Sequence, residues 1–313
     1  YPNTAIDMQS GGGKITAGPG REQQLHGLYL ESHNNDLGSP GALGSSYASQ
    51  TNHIDDTLRH MLLTYQGESP DGKQSWRLQP FRSEHEYVYY STAVSKYITE
   101  MAGVRGQYSQ QTAMFGTISL GAEYIQIQDQ RSGTSVFEPN SEYDMTAVFV
   151  EDRISHGPWD IWLGARYDHY RARIETTPGL ADVEVGTETY DDLTWRVGGK
   201  YWRTANVGIH AAVGTAFRPP MAKEVTGAFT TSGMWGQTYL GNPELDPEHS
   251  VTYESGVEWG GKHGRLTGTF FQTTYSDKIS PVPQPNGDQK YENIDGWTLQ
   301  GVELQGQTAF DWG

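Results

Sequence analysis

Hydrophobic and polar side chains alternate with a period of two over long tracts of the chain. From Val207 to Arg218, the residues Val207, Ile209, Ala211, Val213, Thr215 and Phe217 are separated by Gly208, His210, Ala212, Gly214, Ala216 and Arg218. Such a period puts one set on each face of a β-strand. Pro219-Pro220 ends the ladder, because neither residue has a backbone N–H to donate. Asn242-Pro243 and Asp246-Pro247 are turn chemistry. Val251, Tyr253, Ser255, Val257 and Trp259 then alternate with Thr252, Glu254, Gly256 and Glu258, so a second strand returns. The same pattern predicts strands over 25–32, 57–66, 87–98, 104–108, 117–128, 145–154, 159–174, 193–202 and 265–279. A last strand opens at Asn293-Ile294 and continues through Gly301-Val302-Glu303. The count is about eleven strands. Loops are predicted at 1–24, 34–41, 67–86, 129–140, 219–249 and 280–292, with a turn at 101–103.

The faces carry distinct chemistry. One collects Ile161, Leu163, Ala165 and Tyr167, then Trp195 and Val197, then Ile209 and Val213, then Val257 and Trp259. The other collects Arg166, Arg196, His210, Arg218, Glu254 and Glu258. A water-exposed β-sandwich also alternates in this way. Three features favour a barrel spanning a membrane. The strands are longer than the roughly 5–6 residues usual in globular proteins. Tyr and Trp gather near strand ends, and short turns alternate with long loops. Both charge signs share the polar face, which suits a wet lumen where Arg and Glu pair across strands.

Composition narrows the classes. A chain of 313 residues with 38 glycines and 19 tyrosines favours β-structure. No run of about 18 apolar residues exists to form a transmembrane helix, but barrel strands need only ~9–11 alternating residues. The net charge of −16 argues against nucleic acid, which needs a basic footprint. The absence of cysteine excludes disulfides and thiolate metal sites.

Ala216-Phe217-Arg218-Pro219-Pro220, then Gly241-Asn242-Pro243-Glu244-Leu245-Asp246-Pro247-Glu248, then Glu254-Ser255-Gly256-Val257-Glu258, in this order and spacing, resemble the late barrel of TonB-dependent outer-membrane receptors. Leu120-Gly121-Ala122-Glu123-Tyr124, Gly164-Ala165-Arg166-Tyr167-Asp168 and Tyr275-Ser276-Asp277-Lys278-Ile279 resemble further strands of that family. The resemblance covers most of 100–313 and is thin before it. It implies an all-β, antiparallel, up-and-down transmembrane β-barrel, with residues 1–313 making about half of a 22-stranded barrel. The family's plug domain and TonB-contacting segment would lie upstream of Tyr1, and further strands beyond Gly313. The implied function is binding and import of a metal chelate, a ferric siderophore or cobalamin, with outer-membrane lipid and the TonB complex as partners. The cell outer membrane of a Gram-negative bacterium is the implied location. A passive or structural barrel and a soluble ligand-binding β-domain are the alternatives.

No Gly-x-Ser-x-Gly, His-Glu-x-x-His or phosphate-binding loop is present, and no enzyme is expected. Phe229, Met234, Trp235 and Tyr239 sit on a Gly/Thr/Ser background in loop 221–240, where rigid aromatics suit capture of a bulky ligand. Arg166, Arg196, His210, Arg218, Glu254 and Glu258 are the candidate lumen residues. The family's haem receptors carry a ligating His between the Phe-Arg-x-Pro and Asn-Pro segments. No His lies between Phe217 and Pro243, which disfavours haem. Asn34, Asn35 and Asp36 offer oxygens to Ca²⁺, but their spacing matches no EF-hand and reads as a turn. His53 and His60 are an odd number of residues apart, so a strand points them to opposite faces.

Overall fold

The computed structural model describes residues 7–20, 22–38, 52–91, 93–114, 116–133, 138–178, 183, 185–226, 228–230, 238–262 and 264–308, with only the backbone at 228–230. The strands are β1 (Asp7–Ala17), β2 (Gln24–Gly38), β3 (His53–Glu68), β4 (Gln74–Tyr90), β5 (Val94–Thr112), β6 (Gly116–Gly133), β7 (Asn140–His156), β8 (Trp159–Glu175), β9 (Gly186–Thr204) and β10 (Val207–Arg218). A single-turn helix α1 (Ala222–Val225) follows. Next come β11 (Ala228–Thr230), β12 (Thr238–Leu240), β13 (Glu248–Gly261), β14 (Gly264–Ser276), β15 (Lys278–Pro283), β16 (Gln289–Ile294) and β17 (Thr298–Thr308).

Thirteen strands form one antiparallel sheet in sequence order, β1 to β10 followed by β13, β14 and β17. Each hairpin pairs with its chain neighbour, as an up-and-down barrel wall requires. The remaining four strands form a small sheet in the order β11-β12-β16-β15. One rim of the large sheet carries the turns 18–23, 69–73, 113–115, 157–158, 205–206 and 262–263. The other carries the connections 39–52, 91–93, 134–139, 176–185, 219–247 and 277–297. Short turns at one rim and long loops at the other are the outer-membrane pattern, with the long loops outside. The tight turn 91–93 is the exception on the loop rim.

The register fixes the faces. Leu163 faces Val197, Val197 faces Val213, and Val213 faces Tyr253. Arg166 faces Thr194, Arg196 faces Gly214, and Glu258 faces Gly208. The apolar side chains that alternation grouped therefore form one continuous surface, and they are exposed: Leu163, Val197, Ile209, Val257, Leu266, Val302 and Leu304 among them. The charged set lines the opposite surface. There, side chains two strands apart meet: Arg166 on β8 reaches Glu123 on β6, and Arg196 on β9 reaches Glu151 on β7. Their backbones lie roughly 9.5 Å apart at sheet spacing. An Arg and a Glu side chain together bridge that spacing over the intervening strand.

Aromatic residues bracket the apolar surface. Trp76, Tyr108, Trp159, Tyr201 and Trp259 stand near the short-turn rim, with the Trp159 and Tyr201 rings 4.6 Å apart. Toward the loop rim, Tyr29, Tyr124 and Tyr167 donate hydroxyl hydrogen bonds to Glu31, Asp144 and Asp191 at 2.8, 2.8 and 2.6 Å. Each tyrosine thus has its ring beside the apolar band and its hydroxyl among outward-facing acids. From Trp159 to Tyr167 the band spans eight residue steps, about 26 Å along a strand at ~3.3 Å each. Strand tilt reduces this to roughly 20 Å, close to the apolar band of outer-membrane barrels.

Several expectations are corrected. The first loop contains β1 from Asp7 onward, paired residue for residue with β2. Its Gly11-Gly12-Gly13 has no side chains to show alternation, yet its backbone pairs normally. The 34–41 turn is strand to Gly38, with a register shift between Asn34 and Leu37 and Asp36 at φ 52°. Residues 39–41 lie outside the described residues. The polar 67–86 segment is mostly β4. Its inward positions Ser75, Arg77 and Gln79 face the lumen side, and Pro80 removes one ladder donor, so neither polarity nor Pro marked a loop.

The expected strand 87–98 is cut by the turn 91–93, and β5 runs unbroken through the expected turn at 101–103. Gly103 is flat there because the Phe81 ring crosses it; a Cβ would lie 2.8 Å from Phe81 Cζ. The 265–279 strand bends at Asp277, φ 54°, where β14 passes into β15. Asn293-Ile294 belongs to β16, and the last strand begins at Thr298. The loops 219–249 and 280–292 are partly α1, β11, β12, β15 and β16. His53 and His60 do take opposite faces, and His53 stacks on Tyr90 at 4.5 Å.

Candidate ligand-binding mouth and lumen

The lumen wall is built from inward positions of β5 to β14. Arg105 Nη2 donates to Glu123 Oε1 at 2.5 Å, and Arg166 Nη1 reaches Glu123 Oε2 at 3.2 Å. Arg166 also grips Asp168, with Nη2 at 2.8 Å and Nε at 2.9 Å. Arg196 Nη2 donates to Glu151 Oε1 at 2.5 Å. Nearer the short turns, Glu258 is buried between Lys200 and Arg265. Buried charges persist only when paired, and each of these acids is paired.

Glycines clear the ground between strands. Arg196 crosses β8 at Gly164, where a Cβ would stand 3.2 Å from its Cγ. The Phe149 ring lies across Gly121, whose Cβ would fall 2.1 Å from Phe149 Cζ. His210 lies over Gly256, its Nε2 3.4 Å from Thr269 Oγ1. Glu254 is on the same face, opposite Ala212 and Phe271, and is exposed. Five of the six candidate lumen residues therefore lie along one wall, and Arg218 stands above it at the mouth.

At the mouth the chain builds a small core. Ile174, Ala222, Val225, Leu245 and Ile279 are buried together, with Tyr143, Val183 and Tyr291 packed against them. Burial of each large aliphatic side chain contributes roughly 1.5–3 kcal/mol. Arg218 ties this core to the barrel. Its Nη2 donates to Glu248 Oε1 at 2.8 Å and its Nη1 to Glu224 Oε2 at 3.0 Å. Glu248 also accepts the Ile279 N–H at 2.9 Å, and Glu224 accepts the Met221 N–H at 2.8 Å. The paired Glu248 holds the Arg218 guanidinium pKa above its ordinary value. Burial pushes the Glu248 carboxyl up, but Arg218, the Ile279 N–H and Lys278 outweigh it and hold the group below its ordinary value.

The two longest loops are zipped together. β12 pairs in parallel with β16, Tyr239 beside Gln289 and Leu240 beside Lys290. Asn293 Oδ1 accepts the Asp246 N–H at 2.9 Å, and its Nδ2 donates to the Asp246 and Asp277 carbonyls at 2.9 and 2.7 Å. Both carbonyls and the N–H come from segments flanking the two loops.

Of the loop aromatics expected to meet ligand, Tyr239 lies beside Tyr291, the rings tilted with centroids 6.0 Å apart. Only the backbone of Phe229 is described, and Met234 and Trp235 lie outside the described residues. A larger aromatic set was missed. Tyr143, Tyr170 and Tyr190 form a chain with centroids 5.6 and 6.3 Å apart. The Tyr143 hydroxyl accepts the Ala222 N–H at 3.1 Å. Burial raises the Tyr291 phenol to about 12. Their signal was parity: all three sit at inward positions near the loop-side ends of β7, β8 and β9. Among the described residues, no three His, Asp or Glu side chains gather to hold a metal ion.

An antiparallel sheet with an apolar, aromatic-rimmed face and an opposite ion-paired face is the wall of a membrane β-barrel with a polar lumen. The chain belongs to the TonB dependent receptor-like beta-barrel family, whose model matches residues 3–313. This is a Gram-negative outer-membrane family. The chain is 26% identical to Transferrin-binding protein A of Neisseria meningitidis serogroup B over 173 residues, 52% of this chain and 17% of that protein. It is 26% identical to the Vitamin B12 transporter BtuB of Photobacterium profundum over 193 residues, 60% of this chain and 27% of that protein. The Serratia marcescens hemophore receptor HasR, solved with its hemophore HasA and heme, superposes with a TM-score of 0.80 at 18% identity. That superposition covers 98% of this chain and 52% of the receptor. The chain thus spans about half the length of this solved receptor, and its matches span under a third of the two curated relatives.

Proposed function

We propose that residues 1–313 are barrel wall and outer loops of a TonB-dependent import receptor that captures a metal chelate at the cell surface. The rest of that receptor would supply the plug and the contact with the TonB complex. The observation that supports this reading best is the composite mouth: two long loops joined into one unit over a lumen rimmed by Tyr143, Tyr170 and Tyr190. Rigid aromatics above a polar passage suit a bulky, partly apolar chelate. The barrel would act by binding and passage rather than by chemistry, in keeping with relatives that are receptors and transporters. A ferric siderophore or cobalamin is the preferred cargo. Haem is disfavoured by the lack of His between Phe217 and Pro243.

The test is uptake by the full-length receptor in outer membranes. Cells carrying it should accumulate ⁵⁵Fe from a siderophore, or ⁵⁷Co from cobalamin, only when TonB is energised. Accumulation that persists without TonB would instead support a passive pore.

A further inference from the structure

One inward row of the wall is apolar where its neighbours are not. Leu28 stands opposite Leu62, Leu62 opposite Phe81, Phe81 opposite Gly103, Gly103 opposite Ile125, and Ile125 opposite Met145. The Phe81 ring occupies the place of the side chain that Gly103 lacks, so the row is unbroken from β2 to β7. Side chains directly opposite one another have Cβ atoms about 4.5–5.5 Å apart, close enough for apolar contact. The row is only half-buried. It extends roughly 24 Å at ~4.8 Å per strand, yet it is little more than one side chain wide. On its short-turn side lie Thr64, Gln79, Arg105 and Glu123. It runs one position away from Tyr29 and Tyr124, level with the loop-side edge of the outer band. Met145 opposes Tyr170, so one end meets the tyrosine chain at the mouth. The other end is polar. Leu28 stands opposite Lys14, which is exposed. No acid occupies an inward position of β1, nor one of β2 from Gln24 to Asn34. His26 Nδ1 lies 3.0 Å from Thr16 Oγ1 beside it.

We propose that this row is a binding track for one long-chain fatty acid, its carboxylate at Lys14 and its tail laid across Leu28, Leu62, Phe81, Ile125 and Met145 toward the tyrosines. The shape selects a single extended chain, since a wider apolar body would cover the polar row beneath. The length suffices for a tail that spans one leaflet, about half of a ~30 Å hydrocarbon core. A cation with no acid beside it complements a carboxylate at the head end, and the unbranched thioether of Met145 adapts to a flexible tail. The track goes beyond the import reading and needs neither a metal nor the TonB complex.

The experiment uses the full-length receptor in lipid nanodiscs, with laurate and dodecanol as probes and a diazirine-bearing laurate for photolabelling. Laurate should bind saturably, and the label should map to Leu62, Phe81, Ile125 and Met145 rather than to outward Leu63 and Tyr124. Affinity should rise about twofold per methylene from octanoate to laurate, roughly half the value for full burial, because the wall covers one side of the tail. Lys14→Gln should weaken laurate about fivefold, the upper end for an exposed ion pair, and leave dodecanol unchanged. Lys14→Arg should restore laurate binding. Ile125→Asn should weaken both probes several-fold. A Lys14→Gln receptor that still prefers laurate to dodecanol as wild type does would overturn the proposal. So would label confined to outward positions, or a wild-type receptor with no saturable laurate site because another of its segments lies over the row. Laurate binding is read without metal or TonB, so its failure leaves the import reading standing, and failed chelate uptake leaves the track standing.

Discussion

Replacing Glu248 with Gln tests what holds the outer loops in place. The carboxylate accepts from Arg218 at 2.8 Å and from the Ile279 backbone at 2.9 Å, with Lys278 Nζ 3.6 Å away. Its side chain is 9% exposed, so the change leaves two cations facing a neutral amide in a desolvated site. Breaking a fully buried pair costs about 3–5 kcal/mol. Arg218 is a third exposed, and water screens what remains. A discounted value of roughly 1–3 kcal/mol is expected. That cost falls on the local unit of α1, β15 and β16 rather than on the sheet, whose ladders do not involve Glu248's side chain. Local opening governs amide exchange. The amides of Ala222–Thr226 and Lys278–Ile294 should therefore exchange roughly five- to 150-fold faster in the full-length Glu248→Gln receptor. Amides of β5 to β8 should be unchanged. Equal exchange in wild type and variant would refute the clamp, and uniform acceleration across the sheet would refute its locality.

Three further outcomes follow from the same geometry. The Glu248 pKa lies below its ordinary 4.5, so its stabilisation is present above that value and declines as pH falls through the folded-state value. Loop proteolysis should accordingly rise below about pH 4.5 in wild type, and Glu248→Gln should flatten that dependence. Leu163→Arg sets a charge near the middle of the outer apolar band and should cost about 2–4 kcal/mol in lipid unfolding titrations, whereas the same change at inward Thr194 should cost far less. Gly121→Ala forces the Phe149 ring aside and should destabilise the barrel by about 1–3 kcal/mol in those titrations, while Gly164→Ala, which meets only flexible Arg196 and Glu151 side-chain atoms, should be milder.

The parts of the fold legible in the sequence were those where both faces declared themselves. From Trp159 to Phe217 the outer face is aliphatic and aromatic and the inner face ionic, so period-two reading located β8 to β10 and their faces. β4 failed because its inner residues are polar in a lumen and Pro80 interrupts its pattern. β1 failed because Gly11-Gly12-Gly13 has no pattern to read. The small sheet was illegible for a different reason. β12 and β16 are short and pair across 48 or more intervening residues, so nothing local to either predicts the other. Arg218 was singled out from its face, but its partner Glu248 is set opposite it by the β10–β13 register across a long loop, and Glu224 reaches it only once α1 forms.

Burial and polarity are inverted in this wall relative to a water-soluble sheet. Along it, Glu123 and Glu258 are among the most buried side chains, while Leu163, Val257 and Leu304 are exposed. The only cluster of buried apolar side chains among the described residues sits at the mouth, around Ile174, Leu245 and Ile279. The molecule thus has two stability regimes. The wall is held by backbone ladders, ion pairs and the surrounding lipid, and it answers to charge on its outer face. The mouth is held by a small water-type core and the Arg218 clamp, and it answers to pH and to loss of one carboxylate. A change that loosens one should leave the other intact, which is the arrangement the proposed receptor would need if its loops are to move on a fixed barrel.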